Sequence, residues 1–175
     1  MSEVFMKKKR VIVIILVLIT AALLVWRIWP HSLREIIGAN DEPFDEISVS
    51  ITEFGVDNSS LQMDVYKVEM SPDAGALYDQ LLSLIEETKF RPDLRNLLPW
   101  NIHTVSSGHK NITHSANITL TGAGLDGGCH ITYHGHRIVS FRTEANSSFL
   151  IYHPVNRAAL DQLVVFTKEH GVLQN

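Results

Sequence analysis

The sequence predicts an α+β fold: a single N-terminal transmembrane helix followed by one antiparallel-sheet domain with two helices packed on one face. Three observations carry that expectation. An apolar run follows a basic flank near the N-terminus. Later segments alternate apolar and polar residues with the period of two that a half-buried strand requires. Two further segments carry apolar stripes at helical spacing behind helix-start signals.

The first element is the run from Val11 to Trp29, interrupted only by Thr20 and Arg27 and preceded by Lys7-Lys8-Lys9-Arg10. At about 1.5 Å per residue such a run crosses a thin bilayer core as one helix. The positive residues precede it and the long polar portion follows. The chain is therefore expected to be a single-pass signal-anchor protein of the plasma membrane, with the N-terminus cytoplasmic and the C-terminal domain outside. Trp26 and Trp29 fall where amphipathic rings prefer the headgroup zone, and Arg27 reaches the same interface. Thr20 and Ala22 offer small residues for signal-peptide cleavage, but the apolar stretch continues through Leu23, Leu24, Val25 and Trp26, as a retained anchor requires. The expected organisation is residues 1–10 as cytoplasmic tail, 11–29 as anchor, 30–46 as stalk and 47–175 as extracytoplasmic domain.

Five of the 15 basic and one of the 19 acidic residues lie in residues 1–30. The remainder carries ten basic against eighteen acidic residues, a balance that argues against nucleic acid and favours solubility. Cys129 is the one cysteine, so the core holds without an internal disulfide, and its setting between Gly128 and His130 reads as a small buried apolar residue. Asn-x-Ser/Thr triplets at Asn58, Asn111, Asn117 and Asn146 read as incidental to strand and turn composition.

Ser32 to Ile37 forms a short amphipathic piece ended by Gly38. Ile47, Val49 and Ile51 alternate with Ser48, Ser50 and Thr52 as a first strand, Gly55 to Ser60 turns, and Leu61 to Met70 returns. Ser71-Pro72-Asp73 predicts a helix start, with a hydroxyl cap, a proline at the first position and an acid near the positive end of the dipole. Leu77, Tyr78, Leu81, Leu82, Leu84 and Ile85 then supply the buried stripe, and the helix stops before Phe90-Arg91-Pro92. Arg91 to Trp100 reads as an irregular connector. The alternations of 114–121, 129–134, 138–142 and 149–152 predict an antiparallel meander with a tight turn at Gly135. Asn156 is expected to cap a last helix with the stripe Leu160, Leu163, Val164 and Thr167, closed by His170 and Gly171.

Gly122-Ala123-Gly124-Leu125-Asp126-Gly127 matches a dinucleotide fingerprint in letters, but the chain continues into a strand where the pyrophosphate needs a helix N-terminus. It reads as a flexible hairpin tip. No G-x-S-x-G occurs, Cys129 lacks a protease context, and the paired acids Glu86-Glu87 and Asp41-Glu42 lie on a helix surface or in the stalk. No catalytic residue is expected, and the chain is read as non-enzymatic.

Nine histidines, all beyond the anchor, carry the sharpest chemical alternative. His130 and His134 share one strand face and His136 follows the Gly135 turn, so the three are candidate ligands for Zn or Cu in a metal-binding or metal-sensing domain; otherwise no cofactor is expected. The layout across residues 47 to 171 behind a bare anchor resembles small anchored extracytoplasmic domains of Gram-positive bacteria, a resemblance that assigns no residue a role. The leading functional expectation is a cell-envelope domain that binds a protein or peptide partner through a free sheet face or an edge strand, with the membrane engaged through residues 11–29 and no nucleic acid.

Overall fold

Alternating apolar residues bury one side of the central strands, and the domain is built around that single buried side. A computed structural model describes residues 2–57, 60–93, 96, 114–143 and 146–174. It is an α+β fold with one antiparallel sheet of eight strands and four helices. In chain order these are α1 (Ser2–Ile28), α2 (Leu33–Ile37), β1 (Phe44–Asp57), β2 (Ser60–Met70), α3 (Ala76–Glu86), β3 (Phe90–Pro92), β4 (His114–Gly122), β5 (Gly128–His134), β6 (Ile138–Thr143), β7 (Asn146–Pro154), α4 (Ala159–His170) and β8 (Val172–Gln174). The strands lie in the order β3-β7-β6-β5-β4-β1-β2-β8.

Ile47, Val49 and Ile51 of β1 stand opposite Met70, Val68 and Tyr66 of β2 and opposite Leu120, Ile118 and Ala116 of β4. Cys129, Ile131 and Tyr133 of β5 extend these rows, and Val139 and Phe141 of β6 continue them. One hydrophobic core joins these residues to Leu33 and Ile37 of α2, Tyr78, Leu81 and Ile85 of α3, and Leu160, Leu163, Val164 and Phe166 of α4. Phe90 closes the core beside β7, its ring edge-on to Phe141 at 5.1 Å and to Tyr133 at 6.4 Å.

Several local expectations shift. Ser71-Pro72-Asp73 starts a 3-10 turn over Pro72–Ala74, and α3 begins only at Ala76, because Gly75 takes φ +59 and separates the two. The buried stripe of α3 is Tyr78, Leu81 and Ile85, with Leu77 exposed. The first turn is shorter than Gly55 to Ser60, since β1 continues to Asp57 and pairs it with Ser60. Phe90–Pro92, read as the edge of a connector, is a strand, and Val172–Gln174 beyond the last helix is another. Most of the connector after Asp93 lies outside the described residues.

The segment 30–46 is docked where a free stalk was expected. Ser32 accepts from the Glu35 amide while the Glu35 carboxylate accepts from the Ser32 amide at 2.9 Å, and Gly38 ends the turn at φ +71. That capping box holds Leu33 and Ile37 in the core. Arg34 Nε donates to Glu86 at 2.6 Å, and its Nη1 donates to the carbonyl oxygens of Asn40 and Glu42, tying the segment to α3. Among the described residues no helix is long and apolar enough to cross a membrane. The side chains from Val11 to Leu23 on α1 are all exposed, and Thr20 returns its hydroxyl proton to the Leu16 carbonyl at 2.8 Å.

Candidate functional site

Period-two alternation that buries one side of the sheet delivers the other side to short polar residues. Across β1, β4, β5 and β6 the register sets three outward rows. Ser48, Thr119, His130 and Arg142 form the first, Ser50, Asn117, Thr132 and Ser140 the second, and Thr52, Ser115, His134 and Ile138 the third. The rows largely satisfy themselves: Thr132 donates to Asn117 Oδ1 at 3.0 Å, Thr119 meets His130 Nδ1 at 3.2 Å, and His134 Nε2 meets Ser140 Oγ at 3.1 Å. Asn117, the one glycosylation triplet placed here, is thus in mid-sheet. Asn58 and Asn111 lie outside the described residues.

The geometry does not fit His130, His134 and His136 around one ion. His130 and His134 stand in separate rows with Thr132 between them, about 13 Å apart along β5. A zinc ion holds its nitrogens at about 2.0–2.1 Å, which puts two ligands on it within a few ångströms of each other. His136, beyond Gly135 at φ +67, turns away toward the start of α4, with Nδ1 at 3.3 Å from the Arg157 carbonyl and Nε2 at 3.8 Å from Asp161. Among the described residues no three His, Cys, Asp or Glu side chains are grouped to hold a metal. Burial lowers the pKa of His134, so the row it completes is neutral near pH 7.

Cys129 faces the core, and burial pushes its thiol up to about 12, which leaves negligible thiolate for nucleophilic chemistry. The glycine run is a hairpin tip, as its passage into a strand implies, and it is packed against the chain before β1. Gly122 lies where a β-carbon would meet the Asp45 amide and carboxyl at 2.6 Å, at the bulge where β1 shifts register against β4. Asn40 N donates to the Ala123 carbonyl, and Ala123 is buried.

A feature the sequence reading missed lies at the β3–β7 side. The turn after β5 and the connection from β7 to α4 enclose a pocket of about 300 Å³ lined by His136, Arg137, Ile138, His153, Pro154 and Arg157. His153 Nδ1 donates to the Arg137 carbonyl at 2.8 Å, and its Nε2 lies 3.0 Å from Asp93. Its parts are separated by more than a dozen residues, and the only local signal is the recurrence of a histidine and an arginine on each side.

The opposite side of the sheet ends on β8, which pairs only with Val65–Lys67 of the longer β2. Val172 and Leu173 are 66% and 43% exposed, and Met63 nearby on β2 is 56% exposed.

These features define a class: an α+β domain with one helix-covered sheet face, one short-polar face and one lightly covered edge. No family model, no curated protein and no solved structure matches the chain.

Proposed function

We propose that this chain is a membrane-anchored envelope domain that binds a protein or peptide partner by strand addition at the β2–β8 edge, without catalysis. The observation that carries the reading is that edge. Ser60–Asp64 of β2 has no strand on its outer side among the described residues, while β8 beside it is three residues long and exposed. An added strand gains backbone hydrogen bonds along β2 and apolar contact with Met63, Val172 and Leu173. The self-bonded rows on the open face and the buried Cys129 support a binding role over a reactive one.

Anchoring is part of the proposal. Its support is the apolar run Val11–Trp29 of the sequence, the exposure of every described side chain from Val11 to Leu23, and the internal bond of Thr20, which leaves no unpaired hydroxyl for hydrocarbon to meet. The basic flank orients the domain outward.

The test is site-specific photo-crosslinking of the full chain in membranes, with the probe at Val172, at Met63 and, as a control of similar exposure, at Val165 on α4. One shared adduct from Val172 and Met63, absent at Val165 and abolished by Leu173→Pro, is expected. Equal labelling at all three positions, or none at the edge, rejects strand addition.

A further inference from the structure

We propose that the pocket between the β5–β6 turn and the start of α4 binds a phosphate group at the membrane-facing end of the domain. The class of ligand follows from the lining. Arg137 and Arg157 line the pocket from opposite arms, and neither forms an ion pair with a carboxylate among the described residues. Guanidinium forks match phosphate oxygens in bidentate fashion, and a tetrahedral group offers oxygens to both arms where a planar carboxylate offers an edge to one. Ile138 and Pro154 supply an apolar wall for the carbon body of a phosphate ester. Arg137 and Arg157 bring two positive charges to the pocket in a chain with net charge −4, while the carboxylates of Asp93 and Asp161 stand behind its two histidines.

The arms are preorganised by a reciprocal tie. His136 of the β5–β6 turn lies 3.3 Å from the carbonyl of Arg157, and His153 of the other arm lies 2.8 Å from the carbonyl of Arg137. Each histidine therefore holds the backbone of the arginine facing it. Both ring nitrogens of His153 look at oxygens, the Arg137 carbonyl and the Asp93 carboxylate, so the ring is fixed in orientation and serves as a positioning residue. Asp161 lies 3.8 Å from His136 Nε2, within ion-pair range but beyond hydrogen-bond length, so the second ring is held by its Arg157 contact.

The position of the pocket selects the source. His31, three residues beyond the end of α1, exchanges backbone hydrogen bonds with Phe90 at 2.8 and 2.9 Å, and Phe90 pairs with Pro154 of the pocket wall. Two strand spacings, about 10 Å, separate the chain's exit from α1 from that wall. This part of the inference rests on the proposed anchor: with α1 in a bilayer, the pocket lies at headgroup depth, where phosphodiesters are at high local concentration. A soluble phosphate monoester presents the same oxygens.

The experiment uses the full chain in nanodiscs of phosphatidylcholine, with and without phosphatidylglycerol, titrated with glycerol 3-phosphate and inorganic phosphate and read by ³¹P NMR and calorimetry. Selective broadening of the phosphatidylglycerol signal, lost in Arg137→Gln and Arg157→Gln and retained in His130→Gln on the far rows, is the expected outcome. Tenfold or greater loss of affinity is expected from each arginine variant, with partial rescue by Arg157→Lys, which keeps charge but not the fork. Binding of glycerol 3-phosphate without the lipid effect keeps the site and assigns it to a soluble ester. Absence of any phosphate binding, or binding indifferent to both arginine variants, overturns the proposal. Failure of the chain to enter the discs rejects the anchor instead, and titration of the lipid-free chain then decides the pocket by itself.

Discussion

The two edges of the sheet are finished in opposite ways. At the β3 edge the backbone around the short strand finds partners close by: His31 exchanges two hydrogen bonds with Phe90, Pro92 has no amide to offer, and Asp93 N donates to the Ile151 carbonyl. Asn96 then uses its side-chain amide to serve both the amide and the carbonyl of Ile151, at 3.1 and 2.6 Å. At the β8 edge a three-residue strand with all side chains exposed covers three positions of an eleven-residue neighbour. Unpaired edges recruit other strands, so proteins blunt the ones they do not use. The contrast separates a blunted edge from the edge proposed for pairing, and the end of α1 and the pocket with Arg137 and Arg157 lie on the blunted side.

The largest effect that tests this contrast is a pair of truncations. Phe90→Ala removes a fully buried ring that meets Phe141 and Tyr133, and a loss of about 3–5 kcal/mol is expected in denaturant unfolding. Leu173→Ala on the open edge removes a side chain 43% exposed, and a change below about 0.5–1 kcal/mol is expected. Comparable losses at the two positions would mean that β8 belongs to the core and is not an accessible edge.

A smaller effect probes how β8 is attached. Gly171 joins α4 to β8 where a β-carbon would lie 2.8 Å from the Lys67 carbonyl, and rigid backbone surrounds that point on both sides. Gly171→Ala is therefore expected to cost about 1–3 kcal/mol, as overpacking does, and to speed amide exchange in Val65–Lys67 while leaving β3 and β7 protected. Exchange that quickens equally at both edges would show that they unfold as one unit and would remove the distinction. Thr167, one turn earlier, carries a buried hydroxyl with no hydrogen-bond partner among the described residues, a cost in stability at this end.

These edges are also where sequence reading stopped. The central strands were legible because β1, β4 and β5 alternate over enough residues to display a period, and α2 because Ser32 and Gly38 write its boundaries in local chemistry. The stripe of α4 was legible but its start was not: the helix runs Ala159–His170 with Ala158 at its N-cap, and Asn156 serves the turn before it by accepting from the Ala158 amide at 3.0 Å. Phe90–Pro92 and Val172–Gln174 are each three residues, too short for a period of two to show, and exist as strands only because β7 and β2 lie alongside. Period two correctly placed His130 and His134 on one face, but face is not proximity, and the distance along β5 separates them. The pocket was illegible for the converse reason: His136 and Arg137 meet His153 and Arg157 only through the β6–β7 hairpin.

The smallest effect concerns what holds α4 beside the open edge. Glu53 of β1 bonds Lys168 in the last turn of α4 at 2.5 Å and His114 of β4 at 2.8 Å, and Lys168 also lies 5.3 Å over the Tyr66 ring of β2. The Lys168 contact, opposed by burial and aided by His114, lowers the pKa of Glu53 in the folded chain. A carboxylate with a depressed folded pKa stabilises fully above its unfolded value, about 4.3, and that stabilisation is lost as pH falls through the folded value. Acidification from pH 5 to pH 3 should thus loosen the α4–β2 side before the β3 side, by less than about 1 kcal/mol for a partly exposed pair, and Glu53→Gln should abolish the difference. Hydrogen exchange resolved by strand measures it directly. Equal acid loosening in wild type and Glu53→Gln would place the sensitivity elsewhere and leave the open edge held by packing alone.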